Sequence, residues 1–187
     1  VTWAPMRIPR TFVFVDLSGF TNYTAAFGDD AAGRLLGAFR AIVRQTASDR
    51  GVRIAKWLGD GCMIVGVDQE QSIEFTLELH GRSGDVCSPL TLRAGIATGY
   101  ALLFEGDDYI GSAVNMASRL CDVAGPHQVL MPTMGLERLP AGIVASPVGA
   151  VELAGFPGEV DVLELTGVPT SSANSDTGEL WTHPPTV

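Results

Sequence analysis

Lysine is almost absent from this chain: Lys56 stands alone against eleven arginines. Positive charge of any kind is scarce, because 12 Lys and Arg face 21 Asp and Glu, for a formal net charge of −9. A chain so acidic has no basic face for sequence-independent nucleic-acid binding, and none for an anionic membrane surface. An anionic ligand could bind only where metal ions or a local cluster of donors neutralised it. Cysteine is sparse too. Cys62, Cys87 and Cys121 are odd in number, widely spaced and without a CxxC pair. That pattern excludes a disulfide framework and a cysteine zinc site, and reads as reduced thiols in a cytoplasmic protein. Cys62 opens the apolar run "CMIV" and reads as a buried strand residue rather than a reactive thiol. Long apolar stretches are missing, so no signal peptide or membrane span is expected. Internal repeats are missing as well.

What is present suits one globular domain: 187 residues with 46% apolar content. "TFVFV", residues 11–15, is a β-branched and aromatic run that ends at Asp16, with "LSGFT" as its exit loop. Apolar residues recur at helical spacing from Asp29 to Ser48. "VRIAKWL" and "CMIVGV" flank "GDG", the signature of two antiparallel strands joined by a tight turn. A second helix is expected over 69–81. Two strands in "LTLRAGIATGYALLF" are expected to break near Thr98-Gly99. A third helix follows over Ser112–Val123, then a strand at "QVLMP" and a closing hairpin from "AVEL" and "EVDVLEL". This order predicts an α+β fold, a ferredoxin-like βαββαβ core with extra C-terminal strands. Residues 1–10 read as an N-terminal extension, 11–167 as the domain, and 168–187 as a flexible tail.

Two sets of residues could carry chemistry. Asp16 ends the first strand and Asp60 sits in the turn of the next strand pair, and those strands are neighbours in a βαββαβ sheet. Spacing leaves two readings open: ordinary turn residues, or a pair of hard oxygen ligands suited to Mg²⁺. In "GDDYIGSAVNMASRL", residues 106–120, Asn115 and Arg119 are four apart and share a helix face. They are either a solvated face or an amide and a guanidinium aimed together at a sugar and a phosphoryl group.

"FVDLSGFT", "KWLGDG" and "DYIGSAVNMASRL", in this order and at these intervals, resemble the class III nucleotidyl cyclase catalytic domain. The resemblance runs from about residue 11 to about residue 166, and "LAGFPGEVDVLEL" matches the closing hairpin of bacterial members. It implies an adenylate cyclase that converts ATP to 3′,5′-cyclic AMP and pyrophosphate with two divalent metal ions per site, Mg²⁺ or Mn²⁺. By the same resemblance Asp16 and Asp60 bind metal, with the carbonyl of Leu17 as a further ligand. Phe20 and Thr21 fall where backbone amides cradle the triphosphate. Lys56 and Asp108 match the purine readers, and the interval of seven to Asn115 selects Asp108 over its neighbour Asp107. Asn115 and Arg119 match the residues that orient the ribose and stabilise the transition state. The sites are expected to be shared across a homodimer. One subunit supplies Asp16 and Asp60; the other supplies Lys56, Asp108, Asn115 and Arg119.

Lysine is donor-only and an ionised aspartate acceptor-only, so the pair complements the N1 and exocyclic amine of adenine. Guanine reverses both polarities. The chain departs from many relatives at Ala154, where they carry a lysine for the terminal phosphate, so an arginine, a metal or backbone amides must serve. The interval from Gly99 to Asp108 is also short, which shortens the dimerisation arm. Two other readings exist. A cyclase-fold regulatory module would hold nucleotide without turnover and would have lost a catalytic position, yet none of the six is lost. A diguanylate cyclase or polymerase palm would carry a paired-acid turn in place of "LGDG".

Overall fold

A computed structural model describes residues 6–104 and 108–170. The elements are β1 (Met6–Ser18), α1 (Phe20–Phe27), α2 (Asp29–Arg50), β2 (Arg53–Leu58), β3 (Gly61–Gly66) and α3 (Gln69–Val86). They continue as β4 (Thr91–Leu103), β5 (Tyr109–Ile110), α4 (Ser112–Val123), β6 (Val129–Pro132), β7 (Ile143–Glu152) and β8 (Glu159–Gly167). One sheet runs β2-β3-β1-β4-β6-β8-β7, with β5 paired to β4. Among the described residues only β4 and β6 pair in parallel. The first seven elements, β1 to β4 with α1 and α2 together filling the first helical position, make the βαββαβ core. α4, β6 and the β7–β8 hairpin extend it.

β1 lies in the middle because both its faces are apolar. Val13, Val15 and Leu17 pack with Leu35, Phe39 and Val43 of α2 and with Ile73 and Leu77 of α3. Phe12, one residue out of phase, packs on the opposite face with Met63, Val65, Ala97 and the α4 residues Ala113 and Ala117. The α4 side is built from small residues so that the helix can lie close to the strands. At Gly95 an added Cβ would stand 2.2 Å from the carbonyl oxygen of Ala117. Glycine there is a packing requirement.

Three expectations need correction. The exit loop after Asp16 shrinks to one residue: β1 runs on through Ser18, and Gly19, at φ 88°, turns the chain directly into α1, which has no side-chain cap and no fully buried residue. Phe20, Tyr23 and Phe27 do recur on one face, but over eight residues and without a capping residue that face is too short to read as a helix. The strand expected to break near Thr98-Gly99 is continuous through β4, because Thr98 and Gly99 pair with Thr11 and Arg10 of a β1 that begins at Met6. The two threonine hydroxyls lie 2.9 Å apart. The helix expected over 69–81 extends to Val86. α4 has the bounds its periodicity predicted. Asp107, the first residues of the N-terminal extension and most of the tail lie outside the described residues. No described helix is long and apolar enough to cross a membrane.

Candidate active site

Two groups of predicted residues assemble, one at the rim of β1 and one on the α4 side of the sheet. At the rim, β2 and β3 are joined by Gly59 and Asp60, with Gly59 at φ 64°. A left-handed first residue is the demand of a tight hairpin turn, which glycine meets without strain. The register sets Asp16 opposite Gly61 on one side and Arg93 on the other. Asp16, Leu17, Phe20, Thr21 and Asp60 therefore line one cleft of about 310 Å³, with Arg93. Phe20 and Thr21 are the first two residues of α1, so their backbone N–H groups belong to a helix start that has no partner within the helix.

Arg93 is the residue sequence reasoning missed. Its Nη2 and Nε donate to Asp16 Oδ2 at 2.6 and 2.9 Å, and its Nη1 donates to the carbonyl of Asp122 at 3.1 Å. The signal was an arginine between two buried strand residues, Leu92 and Ala94. A charge is placed there only with a partner. One guanidinium does not neutralise two carboxylates. Burial raises the Asp60 carboxyl above its ordinary value, and the Asp16 charge adds to it.

The donor set suits a divalent ion of the Mg²⁺ type. Two carboxylates and the Leu17 carbonyl are hard oxygens, and an incomplete shell leaves positions for water and phosphate. A closed cage does not form: among the described residues no group of three or more His, Cys, Asp or Glu could hold a metal.

Lys56 reaches its position through a bulge. Ile54 pairs with Ile64 and faces α2 and α3, and regular alternation would send Lys56 the same way. The register slips between Ile54 and Lys56, so Lys56 pairs with Met63, a residue of the α4 side. There its ammonium donates to Asp108 Oδ1, from 52 positions away in sequence. Asp108 is delivered by the β4–β5 hairpin, where Tyr109 sets its ring edge-on to Phe12 at 5.5 Å. Both charged side chains are about half exposed, at 47% and 53%, so a ligand can reach either.

Asn115 and Arg119 sit on the exposed face of α4, whose other face buries Ala113, Ala117, Leu120 and Cys121. Arg119 Nη1 pairs with Asp122 Oδ2 at 3.0 Å. Among the described residues no hydrogen bond or ion pair joins the rim cleft directly to Lys56, Asp108, Asn115 or Arg119. Ala154 is exposed just after β7 and offers no charge.

No family model matches the chain. An uncharacterized Mycobacterium tuberculosis protein is 35% identical over 152 residues, 81% of this chain and 40% of that protein. A Streptomyces coelicolor adenylate cyclase is 35% identical over 127 residues, 67% of this chain and 33% of that protein. The adenylyl cyclase CyaB of P. aeruginosa superposes with a TM-score of 0.76 at 22% identity, over 88% of this chain and 96% of that one. Guanylyl cyclase domains share the fold as well. The chain belongs to the class III nucleotidyl cyclase family. This cyclase chain spans about 40% of the length of the first curated relatives it matches.

Proposed function

We propose that the chain is an adenylate cyclase that forms 3′,5′-cyclic AMP and pyrophosphate from ATP at two composite sites of a homodimer. The reading is carried by the convergence of Lys56 on Asp108: one donor and one acceptor, brought together by a bulge and a hairpin and left accessible. The pair complements the adenine edge and opposes the guanine edge, which supports ATP over GTP where the fold alone accommodates either.

In the reaction the ribose 3′-oxygen bonds to the α-phosphorus, the bond to the bridging oxygen of the β-phosphate breaks, and the 3′-hydroxyl loses its proton. Asp16, Asp60 and the Leu17 carbonyl would hold divalent metal, Mg²⁺ or Mn²⁺, which would supply Lewis acidity for the hydroxyl and positive charge for the leaving pyrophosphate. Phe20 and Thr21 present backbone N–H groups to the triphosphate. Arg93, already in the cleft, supplies the cation that Ala154 does not, so it joins the site as a phosphate-neutralising residue. Asn115 and Arg119 orient the ribose and stabilise charge on the transferring phosphoryl group. Among the described residues no hydrogen bond or ion pair joins the two residue groups of one chain directly, which supports a partner subunit completing each site. Tyr100 and Ile110, 66% and 55% exposed beside the β4–β5 hairpin, give that partner an apolar surface.

The test is incubation of the purified chain with ATP or GTP and Mn²⁺ or Mg²⁺, followed by separation of the products. Cyclic AMP from ATP, with little cyclic GMP from GTP, is the expected result. Bound but unchanged ATP would replace this reading by a nucleotide-binding regulatory module. A Lys56→Ala chain should lose most of the ATP-over-GTP preference in kcat/KM.

A further inference from the structure

We propose that Arg40 of α2 is a positioning residue for the turn that carries Asp60, acting through the Gly59 carbonyl and the Trp57 ring. This rests on the cyclase reading above and goes beyond it, because Arg40 lines no part of the cleft. Its Nη2 donates to the Gly59 carbonyl at 3.1 Å, while its guanidinium carbon lies 4.8 Å from the centre of the Trp57 ring. Trp57 and Gly59 are the first and last of the three residues between Lys56 and Asp60, so one side chain holds both ends of the segment from which two site residues project. Gly59 has a left-handed backbone and no side chain, and the turn has no packing of its own there: an added Cβ would meet nothing within 4 Å. A turn so unsupported needs an outside contact to hold it still.

The Arg40 head group is committed to this place. Its Nε is buried and has no hydrogen-bond partner. An orphaned buried donor is unfavourable, and the fold tolerates it while the other end of the fork reaches Gly59. Arg44, one helical turn on, stacks on the same ring at 5.2 Å but makes no hydrogen bond to the turn among the described residues. The two arginines therefore separate the functions. Both pack on Trp57; Arg40 alone ties down the carbonyl next to Asp60.

The experiment compares Arg40→Met, Arg40→Lys and Arg44→Ala with wild type. Thermal stability, amide exchange of residues 58–61, and equilibrium binding of Mn²⁺ with an α,β-methylene analogue of ATP are measured on each. Met keeps the apolar stem over the indole and removes the donor, so it should fold. Its turn amides should exchange faster, and its Mn²⁺ affinity should fall by about 10-fold, the lower range for a residue that orients a metal ligand. Lys, which keeps a donor, should recover part of both. Arg44→Ala should lose similar thermal stability yet hold its Mn²⁺ affinity within about twofold, since no ligand-orienting contact is removed. Equal Mn²⁺ affinity in wild type and Arg40→Met would overturn the proposal, as would equal losses in Arg40→Met and Arg44→Ala. Absence of Mn²⁺ binding in wild type would instead overturn the cyclase reading; Arg40 then stands or falls on exchange of the turn amides alone.

Discussion

Asp60 is held at a disadvantage in the metal-free chain. Its pKa is raised above the ordinary value of 3.8, first by burial and then by the Asp16 charge. A carboxyl raised in the folded state binds its proton more tightly there than in the unfolded chain. The group's effect on stability is thus most favourable below the unfolded value, and worsens as pH rises through the window up to the folded value. At neutral pH the whole penalty is present. Asp60→Asn in EDTA should therefore melt slightly higher than wild type at pH 7. The difference should shrink as pH is lowered toward 4. The same variant should lose metal-dependent turnover, and wild type alone should gain stability from Mn²⁺. An Asn variant less stable than wild type at neutral pH would show that the carboxylate is satisfied within the chain. Asp16, by contrast, is ion-paired with Arg93. That arginine marks the edge of what single residues reveal: Asp16, Asp60, Lys56 and Asp108 were legible from their motifs, whereas Arg93 stands in a plain strand and is defined only by its register opposite Asp16.

Secondary structure was legible wherever a periodic face met a boundary residue. α4 shows this, since Ala113, Ala117, Leu120 and Cys121 recur on one face and the helix begins after Gly111. Two misreadings share a cause, a local signal overridden by a partner elsewhere in the sheet, whereas α1 and the last turn of α3 lacked a local boundary signal of their own. Thr98-Gly99 looks like a break until β1 is set beside it, and the bulge at Ala55 becomes visible only through β3. Without that bulge Lys56 would face α2, so the sequence located the residue but not its side of the sheet. Close approach of α4 to β4 is a property of the same kind, and it yields a prediction. At Gly95 a methyl group would meet backbone atoms of α4, at 2.2 Å from Ala117 O and 2.4 Å from Cys121 N. Neither can yield as a flexible side chain could, so α4 must move. Gly95→Ala should destabilise the chain by about 1–3 kcal/mol and lower Tm by several degrees, read by thermal melting. Turnover should fall further than the stability loss accounts for, because α4 carries Asn115 and Arg119. A Gly95→Ala chain with unchanged melting would mean that the helix does not lie on the strand as described.

At the scale of the whole molecule, the arrangement argues for assembly. The rim cleft gathers Asp16, Asp60, Phe20 and Thr21, while Lys56, Asp108, Asn115 and Arg119 occupy the α4 side of the sheet, and among the described residues no hydrogen bond or ion pair joins the groups directly. What connects them within a chain is a relay: Asp16 to Arg93, Arg93 to the Asp122 carbonyl, and the Asp122 carboxylate to Arg119. If the halves of one chain served the same site, that relay would occupy Asp16 and Arg119 with each other's neighbours rather than with substrate. A symmetric dimer assigns them to different sites, two in all. Asp16→Ala and Arg119→Ala should then each be inactive alone. Mixed under conditions that allow subunit exchange, they form a heterodimer with one site lacking both residues and one site intact. At equal concentrations and random exchange half of the dimers are mixed, each with one of two sites, so activity should return to about a quarter of wild type. Assay of the mixture against each variant alone reads the outcome. Failure to recover any activity, with exchange demonstrated by differently tagged subunits, would place all six residues in a site belonging to a single chain.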